Sequence, residues 1–147
     1  MNVKNFCNMT QEEKLLLIKD LCARLSYGVQ VQHTNTQISG VLHDIISYPL
    51  YDKNGNIYDI TAATNFFGEG DYVYLEYFKP YLFPLLSMSE EQRNELESLM
   101  EVINIPVWGD ILTPSTEYYD WLNKNHFDYR GLIEKRLAID ATGLNIY

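Results

Sequence analysis

Tyr51-Asp52-Lys53-Asn54-Gly55-Asn56-Ile57-Tyr58 is the stretch on which the fold turns. Asn54-Gly55 between apolar flanks is the preferred two-residue hairpin turn, because both central residues must accept positive φ. A hairpin there makes its flanks antiparallel strands, and the same reading extends both ways along the chain. Upstream, Val29 and Val31 alternate with Gln30 and Gln32, and Thr34-Asn35-Thr36 offers a turn. Ile38 to Tyr48 follows as a second strand, with Gly40 a bulge or bend. Downstream, residues 66–71 form a loop freed by Gly68 and Gly70. Tyr72, Tyr74 and the residues from Tyr77 onward make a last strand, ended by Pro80 and Pro84. The segment 28–83 is therefore a run of short antiparallel strands.

Helical signals flank this run. Thr10-Gln11-Glu12-Glu13 fits a capping box, in which Thr10 and Glu13 satisfy each other's backbone. Leu15, Ile18, Leu21, Cys22 and Leu25 recur behind it at helical spacing, Leu16 and Leu17 widen the stripe, and Tyr27-Gly28 ends the helix. Ser87-Met88-Ser89-Glu90 opens a second helix whose apolar face is Leu96, Leu99, Met100 and Ile103, stopped by Ile105-Pro106. A connector leads to Pro114, and Ser115 or Thr116 caps a third helix carrying Tyr118, Tyr119, Trp121 and Leu122. Asp128 to Leu137 holds one further helical turn or two. Clustered strands flanked by helices indicate an α+β fold, with a small antiparallel sheet or an SH3-like barrel over 28–83. An N-terminal helix and two to three C-terminal helices complete it. The 147 residues suit a single domain spanning 1–147.

The net charge is −9, so the body repels phosphate backbones and direct binding of a nucleic-acid polymer is not expected. No apolar run approaches the ~18 residues of a membrane span, and no basic, apolar leader opens the chain. A soluble cytoplasmic protein is the expectation. Two cysteines make no disulfide framework, and Cys22 falls on the apolar face of the first helix.

The chemistry-bearing candidates are few. The 51–58 hairpin falls short of a calcium loop, because its Gly is fourth and not sixth. His33 and His43, on neighbouring strands, would need help from Asp44 to bind a metal, and Asp44 points to the opposite face from His43. Glu69 and Asp71 form a loop acid pair. No nucleophile elbow, phosphate loop or cofactor motif is present. Two clusters stand out. Eleven Tyr or Phe fall between Tyr48 and Phe83, and Tyr72, Tyr74, Tyr77 and Tyr81 are candidates for an exposed aromatic wall. Further on, Lys124, His126, Tyr129 and Arg130 gather charge and aromatics, and Arg130 can grip a phosphate or carboxylate in a fork.

Lys79-Pro80-Tyr81-Leu82-Phe83-Pro84-Leu85-Leu86-Ser87-Met88-Ser89-Glu90-Glu91, with Asp120-Trp121-Leu122-Asn123 and His126-Phe127-Asp128-Tyr129-Arg130-Gly131-Leu132-Ile133-Glu134-Lys135 downstream, resembles a family of small uncharacterised proteins. These occur in gut anaerobes, their phages and mobile elements. Met9-Thr10-Gln11-Glu12-Glu13-Lys14 and Asp20-Leu21-Cys22-Ala23-Arg24-Leu25 fit the same pattern. The chain departs from it at Phe83, where Arg is usual, and at Arg136, where Gly is usual. The resemblance implies a phage or mobile-element accessory protein working in the cytoplasm of a bacterial host. The expected function is non-enzymatic binding that counters host defence by holding a nucleotide signal, another small anionic ligand or a host protein. The alternatives are a metal-assisted hydrolase at His33 and His43, and an assembly protein that forms a homo-oligomer through its aromatics.

Overall fold

In the computed structural model, which describes residues 9–46, 53–54, 61–64 and 72–147 (backbone alone at 61–64, 72, 73 and 75), Thr10 opens helix α1, Gln11–Arg24. The capping box is formed. Thr10 N donates to Glu13 Oε2 at 2.7 Å, and Glu13 N donates to Thr10 Oγ1 at 3.2 Å. The buried face is the expected one except at Leu15 and Cys22: Ile18 and Leu25 pack against the first core cluster and Leu16 against the second. Leu17, Leu21, Asp20 and Arg24 point inward, while Leu15 and Cys22 are exposed. Asp20 and Arg24 enter the interior as an ion pair, which the apolar pattern does not show. A 3₁₀ turn, Leu25–Tyr27, ends at Gly28 in the left-handed conformation, φ 67.

The strands are β1 (Gln30–His33), β2 (Ser39–Ile46), β3 (Thr61–Thr64), β4 (Tyr72–Tyr74) and β5 (Phe78–Pro84). Late in the chain come β6 (Met100–Ile105), β7 (Gly109–Pro114), β8 (Phe127–Asp128) and β9 (Ile139–Asp140). The main sheet runs β4-β3-β2-β1-β5-β8, and β9 also pairs with β5. Its first five strands are antiparallel neighbours, whereas β8 and β9 lie parallel to β5. The fold is α+β. A 3₁₀ turn of three residues, Leu75–Tyr77, carries the chain from the edge strand β4 to β5. Tyr74 to Phe78 spans at most ~14 Å, whereas three intervening flat strands would separate β4 from β5 by ~19 Å. The sheet must therefore curl. It does not close: β4 and β5 are not paired, so among the described residues no SH3-like barrel forms.

Local details differ from expectation in three places. Gly40 pairs regularly with Val31, and the irregularity falls between Leu42 and Asp44 instead. β5 runs through Pro80, which sits opposite Val31, and does not stop there. Lys53 and Asn54 lie in a turn as expected; the rest of the 51–58 hairpin lies outside the described residues, as do Cys7, Glu69 and Asp71. The 34–36 turn is present, with Gln37 N donating to His33 O at 2.8 Å.

Helix α2, Glu90–Glu97, is capped by Ser89 with Gln92 and not by Ser87. It ends six residues before Ile103. Met100–Ile105 is instead strand β6, because Val102 and Ile103 find partners across a turn in Leu112 and Ile111 of β7. Helix α3, Thr116–Lys124, starts at Ser115, whose Oγ accepts from Tyr118 N. Residues 132–136 form turns and no regular helix. Among the described residues no helix is long and apolar enough to cross a membrane.

Three apolar clusters fill the interior. Phe78 of β5 packs with Leu17, Leu21, Val29, Val31 and Leu42. Leu82 packs with Leu132, Leu137 and Ala138. Met88, Leu96, Leu122 and Phe127 form the third. Strand β5 supplies buried residues to the first two, so the C-terminal segment is held on the same strand that carries the α1 core.

Arg136 is exposed and left-handed, φ 61, a conformation that costs a residue with a Cβ about 1–2 kcal/mol. Gly has no such cost there but loses more entropy on folding. Arg136→Gly is expected to raise stability by roughly 0.5–1 kcal/mol, read as a higher denaturant midpoint. An unchanged or lower midpoint would contradict this.

Candidate functional site

The aromatic wall does not assemble. Tyr74 is exposed and Tyr77 half-buried, their rings 6.2 Å apart at the β4 edge. Tyr81 lies on β5, is buried, and shares a 2.6 Å hydrogen bond with Ser39 Oγ. It lies on the face of β5 opposite Phe78 and Leu82, with its hydroxyl tied to β2 through Ser39. The Tyr72 side chain lies outside the described residues.

Arg130 and Tyr129 serve a network within the chain. Asp20, fully buried, accepts from Arg24 Nε at 2.9 Å on one oxygen and from Arg130 Nη1 at 2.8 Å on the other. Arg24 also donates to the carbonyls of Phe127 at 2.6 Å and Leu122 at 3.4 Å. The Tyr129 ring lies beneath both guanidinium groups, 4.3 Å from that of Arg130 and 5.5 Å from that of Arg24. Tyr129 OH donates to Asn123 Oδ1. Arg130, expected to hold a ligand's anion, instead binds a buried carboxylate and ties α1 to the segment after α3.

Lys124 and His126 meet elsewhere, in a cavity of about 480 Å³. Phe83 comes from the end of β5, Ser87 from the 3₁₀ turn after it, and Gln92 from α2. The end of α3 and β8 supply Lys124, Asn125, His126 and Phe127; the last turn supplies Thr142, Gly143 and Tyr147. Nothing in the sequence pattern announced this meeting. It arises because two-residue strands, too short to show a period, dock the C-terminal segment on β5. Lys124 is exposed, and none of the lining residues is acidic. A second cavity, about 350 Å³, is lined by Leu85, Leu86, Tyr129 and Ile133 but also by Asp128 and Glu134, which oppose an anion.

His126 is held firmly. Its backbone is left-handed, φ 61, and its carbonyl accepts from Phe83 N at 2.8 Å. Its ring stacks on Tyr147, centroids 3.7 Å apart and planes 9° from parallel. Nδ1 is buried without a hydrogen-bond partner. Burial, and secondarily the Arg24 charge, lower the pKa from 6.5 to about 4, so the imidazole is neutral at pH 7. Tyr147 OH accepts from Gln30 N at 3.0 Å and donates to Tyr81 O at 2.8 Å; burial pushes its phenol up to about 12. The two rings make a fixed, uncharged aromatic pair beside one lysine.

This has a consequence for stability against pH. Above pH 6.5 the histidine is neutral whether the chain is folded or not. Between 6.5 and about 4 the unfolded chain takes a proton that the folded chain refuses, so stability falls as pH falls. The slope from this group approaches 1.4 kcal/mol per pH unit and vanishes below about pH 4. In His126→Asn, which keeps a residue tolerant of left-handed backbone, denaturant midpoints should fall less steeply over that window. An unaltered slope would contradict the assignment.

His33 and His43 do not converge. The register Gln30↔Val41, Gln32↔Ser39 puts His33 at the turn end of the β1–β2 pair and His43 at the other. His33 Nδ1 accepts from Thr36 N at 3.2 Å, while His43 is exposed. Among the described residues no group of three His, Cys, Asp or Glu is placed to hold a metal ion. No family model, no curated protein and no solved structure matches the chain.

Proposed function

We propose that the protein is a non-enzymatic binding protein that sequesters a small anionic ligand with a planar ring, such as a nucleotide signal, in the cavity at Lys124 and His126. One observation carries this reading: in a chain of net charge −9, the cavity presents a lysine and no acidic side chain. Lys124 supplies the counter-charge, and the amides and hydroxyls of Gln92, Asn125 and Thr142 supply neutral hydrogen bonds. Phe83 and Tyr147 offer faces on which a base can stack. The lone imidazole of the lining has no acidic side chain beside it to orient a proton transfer, and Ser87 Oγ donates to Pro84 O at 2.6 Å. That disposition suits holding a ligand over transforming it. In the phage or mobile-element setting that the sequence resembles, holding such a ligand would withdraw a host defence signal.

Thermal denaturation with a panel of cyclic nucleotides and ADP-ribose-type nucleotides tests it. A ligand at a hundredfold over its Kd adds about 2.7 kcal/mol, a rise in Tm of roughly 5–10 °C for a chain of this size. Lys124→Glu should remove that rise while leaving the unliganded Tm in place. No rise with any member at saturation, or a rise that survives Lys124→Glu, would refute the reading.

A further inference from the structure

The polar side chains that line the cavity have hydrogen bonds of their own within the chain, and these fix the polarity each one turns to a ligand. Ser87 Oγ gives its hydrogen to Pro84 O at 2.6 Å and keeps only lone pairs. Asn125 Nδ2 donates to the carbonyl of Trp121 at 2.9 Å, which orients the amide and leaves Oδ1 to accept. Thr142 turns both its hydroxyl and its N–H to the Asp140 carboxylate, the N–H at 2.9 Å, so its Oγ1 also accepts. Gln92 is the reverse case. Its Oε1 accepts from Ser89 N at 2.9 Å in the capping box of α2, and its Nε2 hydrogens are what it offers. The imidazole of His126, 7% exposed, joins this lining with Nδ1 unpartnered. A hydroxyl, at once donor and acceptor, suits a neutral imidazole in either tautomer.

This polarity sets what a ligand must bring. Lys124 and Gln92 Nε2 serve an anion, and the Asp140 carboxylate bound to Thr142 keeps that anion away from the last turn. Phosphate oxygens, keto oxygens and ring nitrogens without hydrogen are all acceptors. Set against Ser87, Asn125 and Thr142, they would strip water from both sides and return no hydrogen bond. The ligand therefore carries hydrogen donors apart from its anion. The three acceptors come from three separate places: the 3₁₀ turn after β5, the end of α3 and the last turn. A ring amine presents its two hydrogens in one plane at one point. Neighbouring sugar hydroxyls each rotate to an acceptor of their own.

We propose that the cavity selects a ribonucleotide, whose sugar hydroxyls donate among Ser87 Oγ, Asn125 Oδ1 and Thr142 Oγ1 while its phosphate sits at Lys124 and Gln92. This assignment rests on the reading of the cavity as an anion-holding site and names what that site distinguishes. A 2′-deoxy sugar leaves one of the acceptors without its hydrogen, and a site that hydrogen-bonds a ligand hydroxyl rejects the analogue lacking it.

Isothermal titration calorimetry on the full chain tests it with AMP, GMP, CMP, UMP and IMP, their 3′,5′-cyclic forms and ADP-ribose, each beside its 2′-deoxy counterpart. The uracil and hypoxanthine members carry no ring amine, so they separate donors on the sugar from donors on the base. The tightest ribonucleotide should weaken about tenfold in Kd as its 2′-deoxy form, the worth of one hydrogen bond. The same gap should persist in the members without an amine. One of Ser87→Ala, Asn125→Ala and Thr142→Val should close it, by removing the acceptor that the 2′-hydroxyl meets. Equal binding of ribose and deoxy forms overturns the assignment and leaves the anion-holding reading standing. A gap that stays open in all three variants also overturns it, and so does binding that requires a ring amine and ignores the sugar. No binding by any of these nucleotides overturns the assignment and the reading together.

Discussion

Asp20→Ala is expected to lower unfolding free energy by about 3–5 kcal/mol, measured by urea denaturation near pH 7. The carboxylate is fully buried, and two guanidinium groups bind its two oxygens. Removing it leaves Arg24, itself buried, with an uncompensated charge and pulls Arg130 from its anchor. The cost of a stranded buried charge exceeds the net worth of the pair, because desolvation has already been incurred. A sharper form of the same result comes from replacing both partners. Asp20→Leu with Arg24→Met should cost less than the sum of the single changes, although Leu122 O and Phe127 O then lose their donor. A loss below about 1 kcal/mol for Asp20→Ala would mean that α1 and the C-terminal segment are not joined through this network.

Phe78→Ala should cost a comparable 3–5 kcal/mol. Phe78 is fully buried at the centre of the first apolar cluster, between α1 and β1, and meets the His33 ring edge-on at 6.0 Å. Truncation removes the transfer energy of the ring and opens a cavity that Leu17, Leu21 and Leu42 cannot fill without moving the strands. Leu15→Ala, on the exposed side of α1, should change stability by no more than about 0.5 kcal/mol. Denaturant midpoints of both variants check the pair. Equal losses would place Leu15 in the core and contradict the orientation of α1.

That contrast marks where sequence reading succeeds and where it stops. The Thr10–Glu13 capping box, the turn at Thr34-Asn35-Thr36 and the left-handed Gly28 were legible because each is a local contest won by a few neighbouring atoms. The strand cluster of 28–83 and the α+β class followed from period and turn chemistry. The burial of Asp20 and Arg24 was not legible, since the pair looks polar until Arg130 and two carbonyls arrive from a hundred residues away. The run from Leu99 to Ile105 fits a helical stripe and a strand equally in its apolar residues, and only the partner strand Gly109–Pro114 decides it.

The site shows the same division. Lys124 and His126 were chosen for residue type and do line the cavity, but Arg130 turns to Asp20 and the Tyr129 ring lies against the guanidinium groups of Arg130 and Arg24. Tyr147, which forms the stacked partner of His126, carried no signal, because its place depends on β8 and β9 docking on β5. Short strands have no detectable period, and tertiary pairing alone gives them existence.

Amide and aromatic NMR shifts of the protein, titrated with the nucleotide that raises Tm most, test the central claim most directly. The account predicts that the largest changes fall at Phe83, Gln92, Lys124, His126 and Tyr147, with Tyr74 and Tyr77 unmoved. Changes centred on Tyr74 and Tyr77, or on the Arg130 side of Asp20 with the cavity silent, would contradict it.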